Sequence, residues 1–307
     1  MEKLSSWATL TRARTLPVMG APVVLGAVLA WQEGYGFQWG FFLLTLVGAL
    51  AAHLGANVIN DVFDFAAGTD ARARQLQNRG EAFATGSQAL FSGKATLAEY
   101  RRFWLLLFAV ALLCGLVLSL WRPWVLAFAV GGFLLAFFYV APPLRLAYRG
   151  RGLGELDIFL SFGLLPLVGS YYVQAGSVSL SAILAALPVG LYTTLVLYFH
   201  HFLHWRADRE AAKKTPVVLL GEARARQLGK LLLGLTALLI IVDILLGVFP
   251  WYAVLAALTV IPVYLVLRRA RGELQHYLVL MGQNMSSNLL AALLLLLALL
   301  VRGFTHL

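Results

Sequence analysis

The sequence predicts an all-α fold, a multi-pass membrane bundle of nine transmembrane helices with cytoplasmic cap loops, and three observations lead to it. Of the 307 residues, 61% are hydrophobic and only 12% charged, against about a quarter charged in soluble domains. The apolar residues fall into runs close to the roughly 20 that a helix needs to cross a bilayer. The basic residues are confined to alternate connections between those runs, as the positive-inside rule requires.

Taken in order, the spans read at about 16–33, 39–60, 103–121, 124–141, 154–173, 180–203, 231–248, 251–267 and 285–302. Residues 1–17 carry Lys3, Arg12 and Arg14 ahead of a long apolar run, as a secretory signal would. No convincing small-residue cleavage site follows and eight more spans do, so this segment reads as a retained first helix. Counting connections outward from it, 22 of the 24 Lys and Arg lie on one side, with Arg122 and Arg302 opposite. That bias places the N-terminus and both long loops, about 61–100 and 204–230, in the cytoplasm of a cell-membrane protein. The opposite connections are short turns, and the whole chain, 1–307, reads as one domain.

The net charge of +10 is carried at the ends of apolar runs, so the partner it fits is a lipid bilayer and not nucleic acid. Cys114 is the single cysteine. An intramolecular disulfide and a cysteine metal site are therefore both excluded.

The second span ends in His53-Leu-Gly-Ala-Asn57-Val-Ile-Asn60-Asp61-Val-Phe-Asp64, followed by Gly68-Thr69-Asp70. If the helix continues, His53, Asn57, Asp61 and Asp64 share one face. Oxygen donors of this kind suit a hard divalent cation, which is commonly held by one or two carboxylates completed by water and substrate phosphates. A packed, capped helix end with solvated aspartates accounts for one Asp-x-x-Asp equally well. The sixth span ends similarly: His200, His204 and Asp208 follow one another at i, i+4 and i+8, ahead of Arg209, Lys213, Lys214 and Thr215. Ionisable groups at a span end are functional candidates by default, while the basic cluster alone reads as an inside-positive loop. Both loops follow a polar-ended span with acids and then bases, a faint repeat. The remaining connection, Pro142-Pro143 through Arg145, Tyr148, Arg149 and Gly150 to Glu155 and Asp157, is either a basic turn with interfacial tyrosines or a third wall of the same site.

Together these segments resemble the UbiA-type intramembrane aromatic prenyltransferases, and within them the 1,4-dihydroxy-2-naphthoate branch of menaquinone synthesis. The family's first motif is matched at Asn60, Asp61 and Asp64, with the branch's Gly-Thr-Asp at Gly68, Thr69 and Asp70. Arg12 to Pro17 with Ala21 to Gly26 is similar to the branch's opening, and Pro143 to Gly150 with Gly152 to Glu155 to its Pro-Leu-Ala-Tyr and Gly-Leu-Gly-Glu segment. Asp208-Arg209 through Lys213-Lys214-Thr215 is similar to the latter half of the second motif. That motif usually opens with an acid where this chain has His204; His200 and His201 stand at the Asn positions, and Ala212 at a Gly.

The resemblance implies transfer of a polyprenyl group from its diphosphate to an aromatic acid, with decarboxylation to demethylmenaquinone for the naphthoate branch. It implies Asp61, Asp64, Asp70 and Asp208, with His204, as metal ligands. Asn57, Asn60, Arg72, Lys94, Arg149 and Lys213 would bind or neutralise the diphosphate. Tyr139 and Tyr148, with Phe63, would steady an allylic cation through their ring faces, so that Asp64, Asp208, Tyr139 and Tyr148 form the catalytic set. The implied cofactor is Mg²⁺, with Mn²⁺ or another divalent ion as the alternative because imidazole at 204 suits softer ions. A 4-hydroxybenzoate or other quinone acceptor is the nearer rival. A secondary transporter is the rival of another class, favoured only by Asp243 deep in the seventh span.

Overall fold

Local chemistry at the span ends lengthens most of these helices beyond their apolar runs. The computed structural model describes residues 11–80, 82, 87–270 and 272–305, and every regular element among them is helical. Helix α1 (Leu16–Ala30) continues through a π-turn at Trp31–Tyr35. Helix α2 (Trp39–Ala66) runs six residues past the apolar stretch, because Asp61, Val62, Phe63 and Asp64 remain helical. Gly68, at φ 75°, turns the chain into the short helix α3 (Thr69–Gln77), a left-handed conformation that glycine adopts freely.

Helix α4 (Leu97–Ser119) starts on a capping box. The Thr96 hydroxyl accepts from the Glu99 N–H, and the Thr96 N–H donates to Glu99 Oε2 at 2.8 Å. Helix α5 (Val125–Phe138) stops short of Pro142 and Pro143. Helix α6 (Leu153–Ala175) contains a π-turn, and α7 (Leu180–Glu210) is capped by Ser179. Helices α8 (Glu222–Leu245), α9 (Trp251–Arg269) and α10 (Leu274–Thr305) complete the chain. Eight of these are long and apolar enough to cross a membrane; α5 is a shorter apolar helix that occupies the place of the fourth expected span.

The described residues of the expected loops at 61–100 and 204–230 are thus largely helical. The second one narrows to residues 211–221, with a short turn of helix at Pro216–Leu220. A run of ninth-span residues expected at 285–302 starts eleven residues earlier, at Leu274. Of the basic residues counted above, Lys3 and Arg271 lie outside the described residues.

Helix α7 is the spine of the bundle. Tyr192, Tyr198, Phe199 and Phe202 on it are all 2% exposed or less, and it packs against α6, α8 and α10. Two crossings need the absence of a side chain: a Cβ at Gly26 would lie 2.1 Å from the Leu167 carbonyl oxygen, and one at Gly163 only 2.2 Å from Gly190 Cα. Small residues let membrane helices approach to backbone contact where no hydrophobic force drives them together. On α4, Leu106, Leu113 and Leu116 face outward, as a lipid-facing surface requires.

Candidate active site

The helical extensions just described bring α2, α3 and the end of α7 around the mouth of one large cavity of about 1570 Å³. Its polar end is lined by Asn57, Asn60 and Asp64 of α2, Asp70 of α3, and His204 and Asp208 of α7. From there it continues past Phe108, Phe128 and Phe162 to Leu44, Leu118 and Val125. Twenty residues of α2 separate Leu44 from Asp64, so the channel is about 30 Å long at 1.5 Å per residue.

Two banks of carboxylates face this end. In the first, Tyr148 donates to Asp64 Oδ1 at 2.5 Å and exchanges a 2.9 Å hydrogen bond with Thr69, while Asn60 Nδ2 donates to Asp64 Oδ2 at 3.3 Å. Asp61 points away from the cavity lining. It takes Arg12 Nη2 at 2.7 Å on one oxygen and the Ser87 N–H at 3.0 Å on the other. The Ser87 hydroxyl is 2.9 Å from the Asp61 carbonyl and 2.5 Å from Asp70 Oδ2. Arg12, Asp61, Ser87 and Asp70 therefore form one lattice that ties the N-terminal segment and residue 87 across the α2–α3 turn. Burial, then the neighbouring Asp64 charge, pushes Asp70 up to about 6.

The second bank is Asp208, 3% exposed, whose carboxylate stands 4.0 Å from Lys213 Nζ and from His201 Nδ1. Burial works against the charge on Lys213, but Asp208, then Asp64 and Asp70, outweigh it and hold its pKa above the ordinary lysine value. The same ammonium sits 5.1 Å above the Tyr148 ring, and burial with the Asp64 carboxylate drives the Tyr148 phenol up. His204 contacts His200 at 3.1 Å, and His201 contacts Glu155 Oε1 at 3.0 Å. Asn57 donates to the Thr11 carbonyl at 2.9 Å and lies 3.4 Å from His53, which meets Thr15 at 2.8 Å.

Asp64, Asp70, Asp208, His204, Asn57, Asn60, Tyr139 and Lys213 all line the cavity. Three residues expected at the diphosphate do not. Arg72 is exposed and paired with Glu210; Lys94 is exposed; Arg149 is exposed and spends its guanidinium on the carbonyls of Pro143 and Leu144. Each is correctly basic and near the right end, but its helix or turn directs it outward. Phe63 packs edge-on against Phe137, outside the lining. The five expected metal ligands are also not gathered into one cluster: among the described residues no three His, Cys, Asp or Glu side chains are close enough to hold an ion. Like charges separate, and Asp61, Asp64 and Asp70 are each taken by a local donor. Arg12 and Ser87 were not recognisable as site residues, since their partners lie 49 and 26 positions away.

The donor set that faces the cavity fits a hard divalent cation. Asp64, Asp70 and Asp208 supply carboxylate oxygens, and the buried Asp208 Oδ2 has no hydrogen-bond partner among the described residues. Asp243, the residue that favoured a transporter, is 1% exposed near the far end of α8 and outside this cavity.

Comparison with known proteins agrees with this architecture. The 1,4-dihydroxy-2-naphthoate octaprenyltransferase of Escherichia coli (strain K12) is 31% identical over 234 residues, 74% of this chain and 72% of that protein. The protein of the same name from Mycobacterium tuberculosis is 32% identical over 257 residues, 83% of this chain and 82% of its own. In three dimensions the chain is similar to a UbiA homologue from Archaeoglobus fulgidus solved with GPP and Mg²⁺, at 14% identity and a TM-score of 0.68, covering 93% of this chain and 99% of that one. An apo UbiA homologue from Aeropyrum pernix K1 gives a TM-score of 0.69 at 15% identity, covering 93% and 97%. The sequence profile of the UbiA prenyltransferase family matches residues 19–277. The carboxylate banks at one end of the bundle open on a channel lined mostly by apolar side chains, and the chain belongs to the UbiA prenyltransferase family.

Proposed function

We propose that this chain, as a single domain over 1–307, joins a polyprenyl diphosphate to 1,4-dihydroxy-2-naphthoate, releasing diphosphate and CO₂ and leaving the quinol of demethylmenaquinone. The observation that carries the reading is the cavity itself, in which two carboxylate banks and Lys213 close a channel about 30 Å long that is lined mostly by apolar side chains. A phosphorylated head and an isoprenoid tail are matched by those two halves. The acceptor is argued from relatives named for that naphthoate at 31–32% identity, and from the Gly68-Thr69-Asp70 segment.

Asp64 and Asp70 on one side and Asp208 on the other would hold Mg²⁺, or Mn²⁺ with His204 among the ligands. The ion, when bound, neutralises diphosphate oxygens and so stabilises charge on the leaving group. Lys213, kept protonated by the acids around it, adds a donor to the same oxygens. The lattice of Arg12, Asp61 and Ser87 holds Asp70 in place, and Tyr148 fixes the rotamer of Asp64. As the prenyl C1–O bond breaks, the cavity-lining Tyr139 would offer its π face to the positive carbon, whereas Tyr148, outside the lining and with Lys213 and Arg145 over its ring, acts through Asp64 instead. The new bond forms between C1 and the ring carbon that bears the carboxylate, and the electrons of the departing carboxylate bond restore the aromatic ring. No net proton acceptor is needed. The orientation is proposed to put this end of the bundle in the cytoplasm of the bacterial cell membrane.

The test is a membrane assay with geranylgeranyl diphosphate, Mg²⁺ and either 1,4-dihydroxy-2-naphthoate or 4-hydroxybenzoate, with product followed by mass. Prenylated naphthoquinol formed from the naphthoate alone is the expected result. Product from 4-hydroxybenzoate alone overturns the acceptor.

A further inference from the structure

Below the two carboxylate banks the cavity wall carries one more acid that neither the fold nor the diphosphate explains. Asp157 of α6 lines the cavity, is 3% exposed, and its Oδ1 is buried with no hydrogen-bond partner among the described residues. One turn further along the same face is Ser161, whose buried hydroxyl lies beside the Asp157 carboxylate as its side-chain hydrogen-bonding neighbour and which also lines the cavity. Stranded polar atoms in a membrane interior are costly. A buried carboxylate on a cavity wall with one serine hydroxyl to share its charge points to a hydrogen-bonding ligand group.

Their depth says which group. The contact of Glu155 with His201 sets α6 and α7 level, and from His201 to Asp208 is seven residues. At 1.5 Å per residue, Asp157 is about 13 Å further from the mouth than Asp208. That is roughly the span of a diphosphate, its reacting carbon and one aromatic ring laid end to end. Six residues beyond Asp157, the backbones of α6 and α7 meet at Gly163 and Gly190 and seal the wall between these two helices, while the cavity continues past Leu165 and Pro166. Phe162, in edge contact with His53, offers a flat aromatic surface at this level.

We propose that Asp157 and Ser161 form the acceptor subsite, receiving the ring hydroxyl of the aromatic acceptor that lies remote from its carboxylate. This inference rests on the proposed function above. A carboxylate accepts a strong hydrogen bond from a phenolic hydroxyl and so anchors that end of the ring. The same charge repels the acceptor's own carboxylate, which is directed toward Lys213 and the mouth. One attraction and one repulsion therefore fix the ring so that its carboxylate-bearing carbon faces the prenyl diphosphate.

The experiment compares 1,4-dihydroxy-2-naphthoate with 1-hydroxy-2-naphthoate, which lacks the remote hydroxyl, in the wild type, Asp157→Asn, Asp157→Ala and Ser161→Ala. The wild type is expected to prefer the dihydroxy acceptor by about ten- to a hundredfold in kcat/KM, the worth of a charge-assisted hydrogen bond. Asp157→Ala is expected to lose most of that preference and Ser161→Ala part of it, with the KM for geranylgeranyl diphosphate unmoved. The unmoved KM also shows that each variant is folded. A wild type that uses the dihydroxy acceptor, with variants that keep the full preference, overturns the subsite and leaves the proposed function standing. A wild type that makes no product from the naphthoate overturns both.

Discussion

The Arg12–Asp61 pair separates two roles for an aspartate in a motif expected to bind metal. Asp61 has a side chain 5% exposed, with Arg12 Nη2 at 2.7 Å and the Ser87 N–H at 3.0 Å, whereas the Arg12 side chain is 32% exposed. Stripping one partner from a fully buried ion pair costs about 3–5 kcal/mol. Partial exposure of Arg12 and the remaining Ser87 bond reduce that to about 2 kcal/mol, or about 30-fold. Arg12→Met and Asp61→Asn are each expected to lower kcat/KM for the prenyl diphosphate by about that factor, because the lattice that fixes Asp70 through Ser87 loosens. The double variant removes both charges, so its loss is expected to be well short of the product of the two, with a coupling of about 2 kcal/mol. The assay is initial rate against diphosphate concentration, at limiting and at saturating Mg²⁺. If Asp61 were instead a metal ligand in its own right, the Asp61→Asn loss would be recovered by excess Mg²⁺ and would multiply independently with Arg12→Met. Strict additivity refutes the lattice.

Tyr148→Phe removes the donor to Asp64, and the apparent Mg²⁺ affinity, read from activation curves, is expected to fall by about 10–100-fold, as for other groups that orient metal ligands. Removing divalent ions with a chelator is expected to abolish turnover and Mg²⁺ to restore it; His204→Asp is expected to shift preference from Mn²⁺ toward Mg²⁺, and an unchanged preference rules His204 out as a ligand. Asp70, raised to about 6 by burial, binds a proton below that pH and so competes with the cation: activation by limiting Mg²⁺ is expected to weaken as pH falls through 6, and Asp70→Asn to flatten that limb. Gly163→Ala places a Cβ 2.2 Å from Gly190 Cα and is expected to cost at least about 1–3 kcal/mol in thermal unfolding in detergent, whereas Gly132→Ala, with nothing within 4 Å, is expected to be silent.

Sequence periodicity shows what a helix does within itself and little of what reaches it from elsewhere. The stripe from His200 to Asp208 was legible because i, i+4 spacing needs only one helix; of the stripe expected at His53, Asn57, Asp61 and Asp64, Asp61 turns to Arg12 and Ser87 and Asn60 takes its place in the lining. The extension of α2 and α7 beyond their apolar runs was not legible from hydropathy, which registers lipid and not hydrogen bonding. For the same reason Arg72, Lys94 and Arg149 read as diphosphate ligands: charge and loop were right, but the direction of each side chain depends on helices packed around it. Tyr148 shows the converse. Its place in the sequence left two readings open, an interfacial tyrosine or a wall of the site, and an 84-residue separation hid its bond to Asp64.

The burial of charge at the mouth also follows from the fold. Asp61, Asp64, Asp70 and Asp208 are held among apolar helices with Arg12 and Lys213, so four acids face two cations within one low-dielectric region. That excess of negative charge is costly in isolation. A divalent cation relieves it, and the same cation then presents its remaining coordination positions to diphosphate. In this reading the mouth of the cavity is poor at holding a diphosphate without a metal and poor at neutralising its own acids without one. Metal and prenyl diphosphate are therefore expected to bind with positive cooperativity, each raising the affinity of the other by the same factor. Titrating geranylgeranyl diphosphate by calorimetry at low and at saturating Mg²⁺ measures that factor, and equal affinities in the two titrations would refute the charge argument.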